Sequence, residues 1–401
     1  MKLLFITPEG FDTPNPNNQM AEVMLNDFLD AGYNVTLIQS HRLGVSLDIP
    51  KSLANRENFK PVTIKRTVID KTNFVRRYFN EVRYAFLTMK HWMREKDVDV
   101  IYLQSNPTII YTMRLLRIFK RKIPIVFSIY DVFPGHAYDI GVVKSKLLYN
   151  IMKWVEKPRY KMAAAITVLG EDMKDKVVEL GAKEEKVHVV PAWYDVATAR
   201  EIPRENNRFM QKYNIPGDKF VVGFAGTVGY VFNYHTVIEL AKRLLPHKDI
   251  EIQIVGQGNV RDEFVKEAES LGLTNIAFFP LQPVELVPDV YSACDIEIIP
   301  LQKGVIGNGI PSKAPILMAC RRPIVNSCEI NSHYAQQFIE NKMGESVDIF
   351  DYDGLYNAVM KLYNSPETIK TYAENGYNFV KDNYSSTKSR KKLKEVIESL
   401  V

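Results

Sequence analysis

The feature that most constrains the fold is an alternation of short β-branched runs with longer amphipathic stretches, and it occurs twice. The first series begins with KLLFITP and continues through YNVTLIQS, VDVIYLQS, IPIVFSIYD, AAITVLG and KVHVVPA. The second begins with FVVGFAGTVG and continues through IEIQIVGQG, IAFFPL, IEIIPL and RPIVNS. Strands that alternate with helices form parallel sheets covered on both faces. The sequence therefore predicts an α/β protein with two Rossmann-like, doubly wound parallel-sheet domains.

The break between the two series is a polar, irregular stretch that contains Pro203 and Pro216. A chain of 401 residues is long for one hydrophobic core, which agrees with two domains. The carboxyl-terminal stretch has the pattern of a charged amphipathic helix, and we expect it to pack back on the first domain. The predicted units are a first domain at 1–195, a linker at 196–218, a second domain at 219–384 and the terminal helix at 385–401.

Composition narrows the classes of function. The net charge of +5 is spread over a large surface and does not by itself indicate nucleic-acid binding. No apolar run approaches the ~18–20 residues of a membrane span, and the first apolar run is too short for a signal peptide. Cys294, Cys320 and Cys328 lack metal-ligand spacing and are expected to be reduced thiols in the core, which fits a cytoplasmic protein. The chain has no P-loop and no G-x-S-x-G motif.

Ligands of open α/β sheets bind beyond the carboxyl ends of the strands, so the loops there are the candidate sites. The stretch NGIPSKAPILMACRRPIV follows one such strand. Ser312 is expected to cap a helix and Lys313 to occupy its first turn, while Gly307 and Gly309 allow close approach of a ligand. Free N–H groups and a lysine at a helix start predict a phosphate site. The alternative is an ordinary capped helix with a surface lysine.

Two further loops follow strands. Gly226 and Gly229 form a glycine turn that lacks the spacing of a dinucleotide fingerprint, so an NAD-dependent oxidoreductase is disfavoured and an ordinary turn is the alternative. In SIYDVFPGHAYDIG, Asp131 ends a strand and His136 and Asp139 follow it. A carboxylate and an imidazole at this position suit acid–base chemistry. The alternative is a loop stabilised by an Asx turn at Asp131.

Several blocks resemble the family-4 glycosyltransferases of GT-B fold, in order along nearly the whole chain. They are KLLFITPE, IVFSIYDVFP, VHVVPAWYD, VVGFAGTVG, the run IQIVGQG through ACDIEIIPL, and IPSKAPILMACRRPIV. The last signature is similar to a subgroup that builds bacterial surface polysaccharides. The resemblance implies two domains that face each other across a cleft and transfer of a sugar from a nucleotide donor with retention of anomeric configuration. It also implies that the reaction needs neither a metal nor another cofactor.

The resemblance assigns roles by position. The donor phosphates would lie at Ser312 and Lys313, where a positive charge stabilises the leaving diphosphate. The acceptor side would be Asp131 and His136, one of which orients or deprotonates the acceptor hydroxyl. The other implied donor-binding residues are Gly226, Thr227, Gly256, Phe279, Leu281, Asn308 and Gly309, with Asn18 and Tyr130 on the acceptor side.

The sequence departs from the family pattern at several of these positions. The family's E-x7-E pair would fall on Asn308 and Ile316, so neither carboxylate is present. Thr227 stands where the family has a phosphate-binding arginine, and Lys313, Lys303 or Arg321 are the candidate replacements. Tyr130 replaces the usual histidine, and an Asn17–Asn18–Gln19 segment replaces the usual glycine pair.

The expected donor is a UDP-sugar, with an N-acetylamino sugar as one candidate for the transferred group. The expected acceptor is lipid-linked or an oligosaccharide. The basic, aromatic-rich segments 71–96 and 113–122 predict contact with an anionic membrane surface, and the alternative is that their aromatic residues face the core. Two other functions remain open: a nucleotide-sugar 2-epimerase of the same fold, and a non-catalytic scaffold that binds nucleotide or glycan.

Overall fold

A computed structural model describes residues 1–12, 16–44, 49–67, 74–194 and 199–401. It contains two parallel sheets with helices on both faces, one in each half of the chain. The predicted fold class of two Rossmann-like domains is confirmed.

The first domain has a seven-stranded sheet in the order β3-β2-β1-β4-β5-β6-β7. Its strands are β1 (Lys2–Ile6), β2 (Asn34–Arg42), β3 (Phe59–Arg66), β4 (Val100–Gln104), β5 (Ile125–Ser128), β6 (Ala165–Val168) and β7 (Val187–Val189). Its helices are α1 (Pro16–Asp30), α2 (Lys51–Ala54), α3 (Phe74–Trp92), α4 (Ile109–Phe119), α5 (Gly135–Asp139), α6 (Lys146–Glu156), α7 (Pro158–Met162) and α8 (Glu171–Glu179). The chain reverses its direction of travel between β1 and β4, which opens a crevice at their carboxyl ends.

The second domain has a six-stranded sheet in the order β10-β9-β8-β11-β12-β13. Its strands are β8 (Phe220–Ala225), β9 (Ile250–Val255), β10 (Ile276–Phe279), β11 (Ile296–Pro300), β12 (Ile324–Ser327) and β13 (Gly344–Val347). Its helices are α9 (Arg208–Tyr213), α10 (Tyr234–Leu244), α11 (Arg261–Ser270), α12 (Val287–Ser292), α13 (Ala314–Ala319), α14 (His333–Glu340), α15 (Tyr352–Tyr363) and α16 (Pro366–Asn383), and α17 (Ser386–Glu398) ends the chain. The corresponding crevice lies between β8 and β11.

Both faces of each sheet are buried, which explains why the strands read as apolar runs instead of alternating with polar residues. Successive side chains point to opposite faces. In the first sheet Leu4, Ile101 and Phe127 pack into one core cluster. Phe5 and Tyr102 lie in the cluster on the other face, where their rings stack with centroids 4.7 Å apart.

The predicted linker is not wholly irregular, because α9 belongs to the packed structure of the second domain. The Asn207 side chain accepts a hydrogen bond from the Met210 N–H and caps the helix. Phe209 is fully buried, with its ring centroid 5.2 Å from that of Phe279. Two buried side chains in a six-residue helix were too short a pattern to recognise among asparagines and prolines. The second domain therefore begins before residue 219.

Helix α17 leaves the second domain and lies against the first. Leu393, Val396 and Ile397 enter the core cluster formed by one face of the first sheet. At the end of the helix, the Tyr33 hydroxyl donates to Glu398 Oε1 over 2.5 Å. The end of the chain thus ties the two domains together.

Candidate active site

A cavity of about 740 Å³ lies between the two domains, near the strand ends. We call it the interdomain cavity. Such a volume is in the range of ligand pockets. It lies at the carboxyl ends of β8 and β11, as the crevice rule predicts. Its walls include Glu22, Asp131, His136, Trp193, Phe224, Gly226, Thr227, Tyr291, Gly309, Ser312, Lys313 and Ile316.

Lys313 lines this cavity from the second domain. Its Nζ lies 3.4 Å from the centroid of the Phe224 ring, close enough for a cation–π contact. A Cβ atom on Gly226 would lie 3.0 Å from the same nitrogen, so the glycine leaves room for the amine. Burial lowers the pKa of Lys313 to about 7, and the nearby Glu297 opposes that shift. The amine is therefore poised to take up a proton when an anion binds beside it.

The helix start differs from the prediction. Lys313 itself is the N-cap of α13, Pro315 follows within the first turn, and no side chain caps the helix. Ser312 is therefore not the N-cap. It is exposed and lines the interdomain cavity. The sequence suggested Ser312 because serine is a frequent cap, but the helix begins one residue later than predicted.

Glu297 is a charged residue that the sequence reasoning missed. It lies on β11 and is fully buried. Apart from the Cys294 thiol, neither of its carboxyl oxygens has a hydrogen-bond partner in the described part of the chain. Burial raises the pKa of Glu297 to about 8, although Lys313 acts in the opposite direction. The sequence did contain a signal for this residue, because an acidic side chain is unusual inside an apolar strand such as IEIIP.

Asp131 and His136 lie where two cavities meet. Both residues line the interdomain cavity, and both also line a second space of about 410 Å³ in the first domain. We call the second space the acceptor-side cavity. The Asp131 carboxylate rests against the second domain, since a Cβ atom on Gly309 would lie 3.3 Å from its Oδ1. His136 Nδ1 is buried and has no hydrogen-bond partner within the described ranges. The pair can contact a group that enters from either cavity.

The two domains are joined at this edge by Asn308. The Asn308 Nδ2 donates to Asp139 Oδ2 over 2.5 Å and to the Gly304 carbonyl over 2.8 Å. The Asn308 carbonyl accepts from the Val132 N–H over 2.8 Å. Burial raises the pKa of Asp139, while the bond from Asn308 lowers it. Asn308 is buried and is not among the residues that line the interdomain cavity, so its side chain joins the domains instead of facing a donor.

A second contact between the domains caps a helix. The Asp172 carboxylate of α8 accepts from the His333 N–H over 2.8 Å and from the Tyr334 N–H over 2.9 Å. These N–H groups begin α14 of the second domain, where a negative charge is favourable. Nearby, His333 Nε2 lies 3.1 Å from Asp175 Oδ2. Side-chain contacts thus join the two domains at two separate places.

Comparison with known proteins agrees with this architecture. Residues 20–198 match the family model described as Glycosyltransferase Family 4, and residues 205–379 match that of Glycosyl transferases group 1. The chain belongs to the GT-B glycosyltransferases. It is 26% identical over 280 residues to WbjE of Pseudomonas aeruginosa, which is assigned as a glycosyltransferase; the match covers 69% of each chain.

A second sequence relative and a solved structure are also similar to this chain. It is 26% identical over 172 residues to WcaI of Escherichia coli K12, a glycosyl transferase assigned to colanic acid biosynthesis. That match covers 43% of this chain and 42% of the relative. Its fold resembles that of Anabaena Alr3699/HepE, solved in complex with UDP and glucose, with a TM-score of 0.71, 14% identity and full coverage of both chains.

The glycine turns of this glycosyltransferase lie side by side. A Cβ atom on Gly256 would lie 1.9 Å from the Gly226 carbonyl oxygen, so only glycine permits this approach. The Gly226 N–H donates to the Val255 carbonyl over 2.9 Å. Thr227 follows in the same turn, exposed and lining the cavity. The predicted donor residues Gly226 and Thr227 are therefore brought together with Lys313.

Two other predicted donor residues are not brought to the interdomain cavity. The Phe279 ring packs between those of Phe209 and Tyr213, at centroid distances of 5.2 Å and 5.1 Å. Leu281 lies in the following loop with 61% of its surface exposed. Neither side chain lines the cavity. A base-binding role for this segment stays a prediction.

The acceptor-side predictions divide in the same way. Tyr130 lines the acceptor-side cavity, and burial raises the pKa of its hydroxyl. Asn18 is engaged with the backbone, because its Nδ2 donates to the Gly10 carbonyl over 2.7 Å. Helix α1 reaches the interdomain cavity through other residues: Met20, Glu22 and Val23.

The structure also distinguishes among the three cations that were candidates to replace the family's phosphate-binding arginine. Arg321 pairs with Glu374 and lies over the Tyr377 ring, and Lys303 is exposed. Lys313 lines the cavity and these two residues do not. Where the family has the second carboxylate, Ile316 offers only an apolar side chain to the wall.

Proposed function

We propose that the enzyme transfers a sugar from a UDP-sugar to a lipid-linked or oligosaccharide acceptor during assembly of a surface polysaccharide. One observation carries this proposal: two cavities meet at Asp131 and His136, and Lys313 lines the one that lies between the domains. The UDP complex of the Anabaena relative and the colanic acid assignment of WcaI support the choice of donor and pathway class.

The proposed chemistry follows from these positions. The donor diphosphate lies beside Lys313, which takes up a proton as the anion binds and stabilises the leaving phosphate. Among the described residues that line the interdomain cavity, the carboxylates are Glu22 and Asp131, both from the first domain. We therefore favour attack on the same face that the phosphate leaves, with retention of configuration. The bond from the anomeric carbon to phosphate breaks, a bond to the acceptor oxygen forms, and the acceptor proton passes to His136 or Asp131.

The donor site is tested with thermal shifts by UDP, GDP, ADP, CMP and a set of UDP-sugars. A ligand at ~100 times its dissociation constant adds about 2.7 kcal/mol to stability. We expect UDP and a UDP-sugar to stabilise the wild type and to lose most of the effect in Lys313→Ala.

Lys303→Ala is the matched control, since Lys303 lies in the same loop but is exposed outside the cavity. It should keep the wild-type shift. Equal shifts in Lys313→Ala and the wild type would remove Lys313 from the donor site, and no shift with any nucleotide would favour a non-catalytic scaffold.

A further inference from the structure

Helix α6 carries an apolar face that no part of the described structure covers. Leu147 is 72% exposed, Trp154 is 76% exposed and Ile151 is 50% exposed. Their spacing of four and three residues places them on one side of the helix. Met152 and Glu156, on the opposite side, are buried against the domain. Three large apolar residues in one exposed stripe are unusual for a surface that faces only water.

The charges around this stripe have a single sign. Lys146, Lys153 and Lys157 have helical spacing of their own and form a row beside the apolar stripe. None of the three has an ion-pair partner among the residues that the structure describes. Glu156 is the only acid between residues 140 and 170, and it is buried in a pair with Arg159 Nη1 at 2.9 Å. The exposed side of α6 thus presents cations without a neighbouring carboxylate of its own segment.

Helix α6 packs near the acceptor-side cavity through the side opposite the stripe. Tyr149 of α6 stacks on Tyr138 of α5 with ring centroids 4.4 Å apart. His136, on the same short helix as Tyr138, lines the cavity. Val142, 37% exposed, also lines the cavity and precedes α6 by a few residues. A molecule whose polar end occupies the cavity could therefore keep an apolar tail near α6.

We propose that α6, with its apolar stripe and its row of lysines, docks the enzyme on an anionic lipid bilayer. Apolar side chains that enter the bilayer interface and lysines that meet anionic headgroups together suit such a surface better than a neutral partner. The inference rests on the proposed function only in that a lipid-linked acceptor would be delivered from the same surface.

The aromatic and aliphatic residues of the segments that the sequence suggested for this role are divided between the core and the surface. In 71–96, Tyr84 and Trp92 are buried in the core, while Phe79 and Phe86 are exposed; residues 71–73 lie outside the described ranges. In 113–122, Met113 and Leu116 are buried, and Ile118 and Phe119 are exposed at the end of α4. The exposed pair on α4 provides a matched control for α6.

The test is cosedimentation of the full chain with vesicles of phosphatidylglycerol and phosphatidylcholine, and with phosphatidylcholine alone. We expect the wild type to bind the anionic vesicles. The variants Ile151→Asp/Trp154→Asp and Lys146→Glu/Lys153→Glu should each bind at least about tenfold more weakly. Ile118→Asp/Phe119→Asp should bind like the wild type. The UDP-induced thermal shift, measured on the same samples, should be unchanged in all of them.

Three results would overturn the proposal. The first is no binding of the wild type to anionic vesicles although its UDP shift is normal. The second is that Ile118→Asp/Phe119→Asp, the α4 control, loses as much vesicle binding as the α6 variants. The third is a wild-type dimer that the α6 substitutions convert to monomers, which would assign the stripe to a second copy of the chain. A missing UDP shift in the wild type would instead count against the proposed function.

Discussion

At the scale of single residues, the second-domain wall of the interdomain cavity combines the half-buried amine of Lys313 with the buried carboxyl group of Glu297 behind it. Burial brings the pKa of Lys313 down to about 7 and that of Glu297 up to about 8. Each group opposes the shift of the other, because an opposite charge favours ionisation. A diphosphate that enters beside Lys313 adds negative charge and favours the ammonium form. Protonation near neutral pH can therefore follow donor binding.

The raised pKa of Glu297 predicts that the stability of the protein depends on pH. A carboxyl whose pKa is raised holds a proton in the folded state that the unfolded chain releases between its ordinary pKa and about 8. The free energy of unfolding should therefore fall as pH rises through this window. Glu297→Gln removes this contribution. Its free energy of unfolding, measured relative to that of the wild type, should therefore rise by roughly 1–3 kcal/mol between pH 5.5 and pH 8.

Urea unfolding at the two pH values measures this difference. Glu205→Gln, an exposed carboxyl near α9, serves as the control and should follow the wild type. Parallel pH profiles for the wild type and Glu297→Gln would show that Glu297 is ionised in the folded protein across the window.

At the scale of elements, the loop between β11 and α13 has two tasks. It holds the donor-side Lys313, and through Asn308 it contacts α5 of the first domain. A Cβ atom on Gly304 would lie 2.7 Å from Asp139 Cβ, so the loop and α5 are packed without spare room. Movement of one domain relative to the other should therefore displace the donor loop.

The contact between Asn308 and Asp139 can be tested by exchange. Asn308→Asp sets a second carboxyl group, on a buried residue, against the carboxylate of the exposed Asp139, and should weaken closure of the domains by about 1–3 kcal/mol. Small-angle scattering should then show a larger radius of gyration. Exchange of both residues, Asn308→Asp/Asp139→Asn, restores an amide–carboxylate pair and should recover part of the compactness. If both variants scatter like the wild type, the contact does not hold the domains together.

The same elements show how far the sequence could predict the structure. Strand runs such as VDVIYLQS were recognisable because sheets buried on both faces require continuous apolar segments. Helix α9 was missed because Phe209 and Met210 bury it through contacts with residues distant in sequence, such as Phe279. Asn308 was expected near the donor, but its partner Asp139 lies 169 residues away. Such pairings depend on how the domains meet, which local patterns do not contain.

At the scale of the whole molecule, the two domains are tied at separate points around the cleft. Asp172 caps α14, Asn308 binds Asp139, and α17 crosses from the second domain to the core of the first. Among the described residues, no helix is both long and apolar enough to span a bilayer. Residues from both domains form the walls of the interdomain cavity. We therefore propose that the second domain holds the donor and that the first domain activates the acceptor.

The most direct test of this division measures UDP affinity and UDP release from UDP-sugars, with water as the acceptor, in three variants. Lys313→Ala should lose UDP affinity. Asp131→Asn and His136→Ala should keep UDP affinity within about twofold, and at least one of them should release UDP about 100-fold more slowly, the scale expected for loss of a general base. Normal release in both first-domain variants, or loss of UDP affinity in both, would contradict the account.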